Sequence, residues 1–388
     1  MMKLKPFNSF GPAEYRALIE FASDAEDHFI PLSGYLAGKP RGGYHVVALE
    51  EAWAQTFKVK HAIACNSATS GLLAAAFAVG LGPGDQFVCP AMTMSATAAA
   101  PMLTGATPVF CDVEDEAFAL AENPGGRFKA VFITNLFGHP ATLKEARKTA
   151  EMHNDAVLIE DNSQSPFAME NGKYTGTIGH IGVCSLNVHK PIQCGEGGMI
   201  TTDDDNLAGR IRAFINHGET AGLGIGLNLR MPEVCACIAL IQLQHGLEII
   251  EGRRKQADAI LSAIGDIPGC RRPVTREGCT HAYYAIPFLL DVPNLRAGTA
   301  DCDFNPIPYT PRRIFCTALS AAGVPIVEGY VPPLYRLPAF AKFARPCPVA
   351  EDLHDRRLFY FENCAWDVLP EQIEQIGAAF RRAAEMVL

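Results

Sequence analysis

The sequence has no block of lysine or arginine, no paired cysteine spacing, and no repeated or low-complexity tract. Each absence removes a class of function. The formal net charge is -9 with no basic cluster to offset it, so a polyanion such as nucleic acid is repelled. Met1 to Phe10 has two lysines but no apolar stretch of the kind a secretory leader needs. The Ala-rich window from Gly71 to Leu81 is well short of a membrane span. Thirteen cysteines are scattered, with Cys235 and Cys237 the closest pair. That pattern suits reduced, buried thiols rather than a disulfide framework. No Cys/His cluster has zinc spacing, so no metal is expected. These absences lead to an expectation of a cytoplasmic protein with neither nucleic-acid nor membrane partners.

What remains is an ordinary globular composition, 48% hydrophobic and 19% charged over 388 residues, which is long enough for two domains. From Leu49 to Phe214 short apolar runs alternate with helical stretches. The runs read as strands at 62–65, 86–89, 108–111, 130–133, 157–160, 182–185 and 199–201. Helical segments read over 70–79, 142–153 and 207–214. Alternation of this kind predicts an α/β fold with a mostly parallel seven-stranded sheet between helices. A long helix is expected from Pro232, placed in its first turn, to about Ile264. Prolines then break up the chain, and a final helix is expected over 370–387. The expected division is a large domain over 1–250, with an N-terminal arm of about 45 residues packed on it, and a smaller α/β domain over 251–388.

Three polar signals fall just after expected strands, and ligands of open α/β sheets collect at the carboxyl ends of strands. Asn66-Ser67-Ala68-Thr69-Ser70-Gly71 opens a helix: it is either an ordinary Ser/Thr cap or a phosphate site built from free N–H groups and hydroxyls. Asp161 is either a turn residue or the carboxylate partner of a protonated pyridine nitrogen. Lys190 lies in Ser185-Leu186-Asn187-Val188-His189-Lys190, between two core strands and followed by Gly195-Glu196-Gly197-Gly198. A lysine held out of water there keeps a neutral, nucleophilic amine. His189 has a structural reading and a substrate-contacting one, and so do His281, Tyr283 and Tyr284.

Taken in order and spacing, these blocks resemble the DegT-type sugar aminotransferases of fold type I. The resemblance also rests on Leu32-Ser33-Gly34, Gly82-Pro83-Gly84-Asp85, Pro90-Ala91-Met92-Thr93, Gly105-Ala106-Thr107-Pro108, Asn216-His217-Gly218 and Asn228-Leu229-Arg230-Met231. It implies a pyridoxal 5'-phosphate enzyme that moves an amino group from glutamate or glutamine to a keto-sugar, nucleotide-linked, or to a keto-cyclitol. It also implies roles residue by residue. Lys190 would be the catalytic residue, anchoring the cofactor covalently and moving a proton. Asp161 would face the pyridine nitrogen and Gln164 the phenolic oxygen, while Ser67, Ala68, Thr69 and Ser185 would hold the phosphate. Asn228 would reach the phosphate from a neighbouring subunit, which implies a homodimer with shared sites. Arg230 and Glu233 are read as structural.

One position departs from the family pattern: Met94 stands where a Phe or Trp usually stacks on the cofactor ring, which implies weaker retention. The block from Gly323 to Tyr335 is most similar to branches acting on cyclitol or amino-hydroxybenzoate precursors in natural-product biosynthesis. The rival readings are a sugar dehydratase with the same cofactor, in which His characteristically replaces the lysine, and a non-catalytic regulator retaining the fold. A dinucleotide-binding oxidoreductase is disfavoured, because Gly222-Leu223-Gly224-Ile225-Gly226 follows no convincing strand.

Overall fold

Seven five-residue strands form the central sheet: β1 His61–Cys65, β2 Gln86–Pro90, β3 Thr107–Cys111, β4 Ala130–Thr134, β5 Val157–Asp161, β6 Ile181–Ser185 and β7 Gly198–Thr202. Each contains one of the seven expected runs. The protein is seen here in a computed structural model, which describes residues 2–27, 41–121, 124–141, 150, 156–218, 224–292 and 310–387. The Leu32-Ser33-Gly34 block, most of the expected 142–153 helix, and Gly222 and Leu223 lie outside the described residues.

The strand order is β1-β7-β6-β5-β4-β2-β3. β7 runs antiparallel to β1 and β6, and the other neighbours pair parallel. Six strands therefore share one direction and bring their carboxyl ends to one edge. Their residues are buried on nearly every position, as expected of a sheet covered on both faces. The helix Ala68–Ala78 lies so close to the sheet that a Cβ on Gly71 would come within 2.9 Å of Val183 Cγ1 and 3.2 Å of Ile200 Cγ1. The small Ala-rich face is what permits that approach.

The smaller part is built on a four-stranded antiparallel sheet, in the order Cys270–Arg271, Ile286–Leu290, Leu358–Phe361, Ile326–Glu328. Helices Pro311–Ala321 and Pro370–Val387 cover it, around a core of Phe288, Phe315, Phe359 and Phe380. The 32-residue helix Glu233–Ile264 ties the two parts together. It packs against Tyr44–Phe57 of the large part and against Pro370–Val387 of the small one. The expected division at 250/251 falls inside this helix.

Pro232 is the residue before the helix rather than a member of its first turn. Glu233 instead turns its carboxylate to a neighbour, accepting from the backbone N–H groups of Gly43 at 3.0 Å and His45 at 2.7 Å. It thereby satisfies the open end of the Tyr44–Phe57 helix. By length and composition alone Glu233–Ile264 is long and apolar enough to cross a membrane. Here its buried side chains face two hydrophobic cores. The N-terminal arm spans both parts: Lys5–Pro6 pairs with Trp366–Asp367, and Ala17 and Phe21 pack on Cys237 of the long helix.

Candidate active site

A cavity of about 370 Å³ opens at the carboxyl edge of the parallel strands. Ser67, Ala68 and Thr69 enter it from the turn after β1, Asp161 from the end of β5, Ser185 from the end of β6, and Lys190 from the loop that follows. That loop doubles back on itself. Leu186 N–H donates to Gly197 O at 2.9 Å, Val188 N–H to Gly195 O at 2.9 Å, and Lys190 N–H to Asn187 O at 2.8 Å. Strand end and return strand thus hold the lysine between them.

The Lys190 residue keeps some exposure to the cavity, while protein packed around its amine makes the charged form costly. Burial lowers its pKa below the ordinary 10.5, and the negative charge of Asp161 partly restores it. Its Nζ sits 4.7 Å from the centroid of the Tyr284 ring. Asp161 is buried and held at both oxygens: Thr97 Oγ1 donates to Oδ2 at 2.7 Å, and Ser163 N–H donates to Oδ1 at 3.2 Å. Behind Thr97 stand Thr93 at 3.0 Å and, beyond it, Thr134 at 2.8 Å. Because Thr97 donates its one hydroxyl hydrogen to Asp161, it accepts from Thr93.

The phosphate-sized end of the cavity lies at the start of the Ala68–Ala78 helix. Ser67 caps it, accepting from Ser70 N–H at 3.1 Å. The amides of Ala68 and Thr69 come too early in the helix to have partners within it. β7 crosses tightly behind them: a Cβ on Gly198 would stand 2.6 Å from Ser67 C and 2.7 Å from Ala68 N. The requirement for glycine there comes from this close approach. Ser185 closes the same corner, its Oγ accepting from Asn187 N–H at 3.3 Å.

A base-like amine, a carboxylate with fixed donors, and a helix start with free N–H groups fit the group that the resemblance implies, a phosphorylated pyridine aldehyde. The amine suits the aldehyde, the carboxylate suits a ring N–H, and the helix start suits the phosphate.

Eight of the nine expected site residues meet in this cavity, namely Lys190, Ser67, Ala68, Thr69, Met94, Asp161, Gln164 and Ser185. Met94 is 52% exposed at its mouth. Gln164 is clamped by both ends of its amide, accepting from Phe137 N–H at 2.7 Å and donating to Tyr330 Oη at 3.1 Å. Asn228 is not brought there by its own chain; it is exposed and bridged to Asn216. Arg230 also turns to Asn216, at 2.7 Å. Among the aromatic candidates, Tyr284 lines the cavity. His281 is buried and stacked on Tyr283, with centroids 4.0 Å apart, and accepts its neighbour's N–H through Nδ1. His189 lines the mouth.

Thr97, Thr134, Tyr360 and Glu362 were not singled out by the sequence. Thr97 sits in the helix beginning at Ala96, a few residues past the Pro90–Thr93 block, and its spacing to Thr93 of one helical turn was the available signal. Glu362 gave none. Tyr330, noted only as part of a similar block, packs edge-on to Phe137 and forms a wall with Tyr360. Burial pushes the Tyr330 and Tyr284 hydroxyls upward and Tyr360 to about 12, so all three remain phenols.

Comparison with known proteins adds three kinds of likeness. A profile of the DegT/DnrJ/EryC1/StrS aminotransferase family matches residues 37–381. The chain is 31% identical over 347 residues to the UDP-N-acetyl-3-dehydro-alpha-D-glucosamine 3-aminotransferase of Acidithiobacillus ferrooxidans, covering 86% of this chain and 87% of that one. It is 30% identical over 323 residues to the UDP-2-acetamido-2-deoxy-3-oxo-D-glucuronate aminotransferase of Pseudomonas aeruginosa, covering 80% and 83%. Among solved structures, DesI in the presence of its TDP-sugar product superposes with a TM-score of 0.80 at 26% identity, over 98% of this chain and 91% of that one.

Proposed function

The chain belongs to the DegT/DnrJ/EryC1/StrS aminotransferase family, and from that premise we propose that it aminates a nucleotide-linked keto-sugar or a keto-cyclitol, with glutamate or glutamine as donor and pyridoxal 5'-phosphate as cofactor. The observation that carries the reading is the meeting of Lys190, Asp161 and the Ser67–Thr69 helix start in one cavity. When bound, the cofactor supplies an electron-poor ring that accepts the electron pair of a breaking C–H bond.

The protein's own groups do the rest. The Lys190 amine, neutral to lower pH than an ordinary lysine, anchors the cofactor and then takes and returns a proton at Nζ. Asp161, fixed by Thr97 and Ser163, would face the ring nitrogen and favour its protonated form. Ser67, Ser185 and the amides of Ala68 and Thr69 would hold the phosphate, Gln164 would meet the phenolic oxygen, and Met94 would stand beside the ring. Asn228, exposed outside its own cavity, reaches the phosphate of a second copy, so the working unit is a homodimer. The protein acts in the cytoplasm, in amino-sugar or natural-product biosynthesis.

A dehydratase role is the rival on this scaffold, and Lys190 favours transamination. With glutamate and a nucleotide-linked keto-sugar supplied, an amino product is expected, whereas a deoxy-keto product would point to the rival. Lys190→Ala should cut turnover by at least about 10⁴-fold and abolish the visible cofactor absorbance. Persistence of that band in the variant would refute the assignment.

A further inference from the structure

We propose that Glu362 makes the acceptor wall of this site select a neutral, hydroxyl-bearing sugar ring and reject a ring that carries a carboxylate. The inference rests on the transaminase reading and narrows it to a substrate class. Glu362 follows the strand Leu358–Phe361 of the small part and lines the cavity half-buried, beside Tyr360. Its carboxylate makes no hydrogen bond or ion pair among the described residues. The other two acids of the cavity are engaged: Asp161 by Thr97 at 2.7 Å, and Glu196 by Asn187 Nδ2 at 2.8 Å. A half-buried carboxylate left without a protein partner at a binding wall is an acceptor presented to the ligand.

The charge of the cavity supports the same selection. Its lining holds three carboxylates against Lys190 and the His189 imidazole, and no arginine lines it among the described residues. Lys190 is committed to the cofactor. Glu362 lies close enough to Tyr360 and Tyr284 that its negative charge helps to hold their hydroxyls protonated. A ring hydroxyl donates to Glu362 and places its C–H face on the tyrosines. A ring carboxylate instead meets the like charge of Glu362, with no arginine among the described lining residues to pair with it, an arrangement that rejects the wrong partner by repulsion.

Two relatives are named for acceptors that form a matched pair. The 3-keto form of UDP-N-acetylglucosamine carries CH2OH at the carbon where the 3-keto glucuronate carries a carboxylate. The test is to measure binding of both UDP-sugars to the cofactor-loaded protein by calorimetry, and then amination of each with glutamate. The wild type should bind the neutral sugar at least about tenfold more tightly, a difference of about 1.4 kcal/mol. Glu362→Gln should narrow the gap to about threefold or less, by gaining on the carboxylated sugar, and Glu362→Arg should invert it. An unchanged visible cofactor band reports that each variant is folded and loaded.

Equal affinities in the wild type, an unchanged gap in Glu362→Gln, or failure of both sugars to bind would overturn the proposal. A preserved preference without amination would leave the wall intact and sink the transaminase reading instead, so the two failures are separable.

Discussion

The two walls of the cavity are built in opposite ways. The first wall is made of strand ends and a helix start, and its carboxylate, its capping serine and its lysine loop each have fixed partners. Asp161 is gripped by Thr97 and Ser163, Ser67 by Ser70, and the Lys190 loop by its own return to Gly195 and Gly197. The opposite wall is three tyrosines and one acid, which meet the first wall through the Gln164–Tyr330 hydrogen bond, the packing of Tyr330 and Tyr360 on Phe137, and the Lys190 amine over Tyr284. A preorganised wall suits a part that never changes, the cofactor, because fixed dipoles need no rearrangement as charge develops. A wall with an uncommitted carboxylate suits the part that varies between relatives, the acceptor.

Substitutions that break one wall and spare the other test this contrast, and the largest effect is expected on the fixed side. Asp161→Asn should lower kcat by about 10²- to 10³-fold for every acceptor alike, as removal of one preorganised electrostatic group does. It also has a pH signature. Asp161 raises the pKa of Lys190 against the lowering by burial, so removing its charge must lower that pKa further. The rate at which apoprotein takes up the cofactor should rise with pH with a midpoint below 10.5 in the wild type, and lower still in the variant. A midpoint that moves upward would contradict the proximity of the two groups.

A smaller effect is expected from Tyr330→Phe, which removes the hydroxyl that accepts from Gln164. Losing one such hydrogen bond costs about 1 kcal/mol, so kcat/KM for the acceptor should fall by about fivefold, with cofactor affinity nearly unchanged. An equal loss in cofactor binding would show that the walls are not separable. The smallest change belongs to the exposed rim. Met94→Phe, at a position 52% exposed, should tighten cofactor retention by about 1 kcal/mol or less through ring stacking. Measured cofactor dissociation constants that do not differ would remove the significance of the departure at Met94.

The same division explains how much could be read in advance. The seven strands and the carboxyl-edge location of Asp161, Ser67 and Lys190 follow from patterns a few residues long: an apolar run, then a polar turn, then a helix. Such patterns are local and survive in one dimension. Glu362 is a single acid after a short strand, and nothing around it in the chain separates it from any surface glutamate. Tyr330 meets Gln164 across 166 positions. Asn228 could be tied to the site only by resemblance, because its own chain holds it outside.

By itself, then, the sequence determined the parallel sheet, the polar edge where its strands end, and the identity of the amine and carboxylate that meet there, since strand periodicity and helix-start chemistry are encoded by neighbouring residues. Only the tertiary structure decided which side chains close the opposite wall, that Glu362 stands there without a partner among the described residues, and that Thr97 fixes Asp161. Those contacts join segments far apart in the chain, and their distances are set by the packing of the two sheets' layers along the helix Glu233–Ile264.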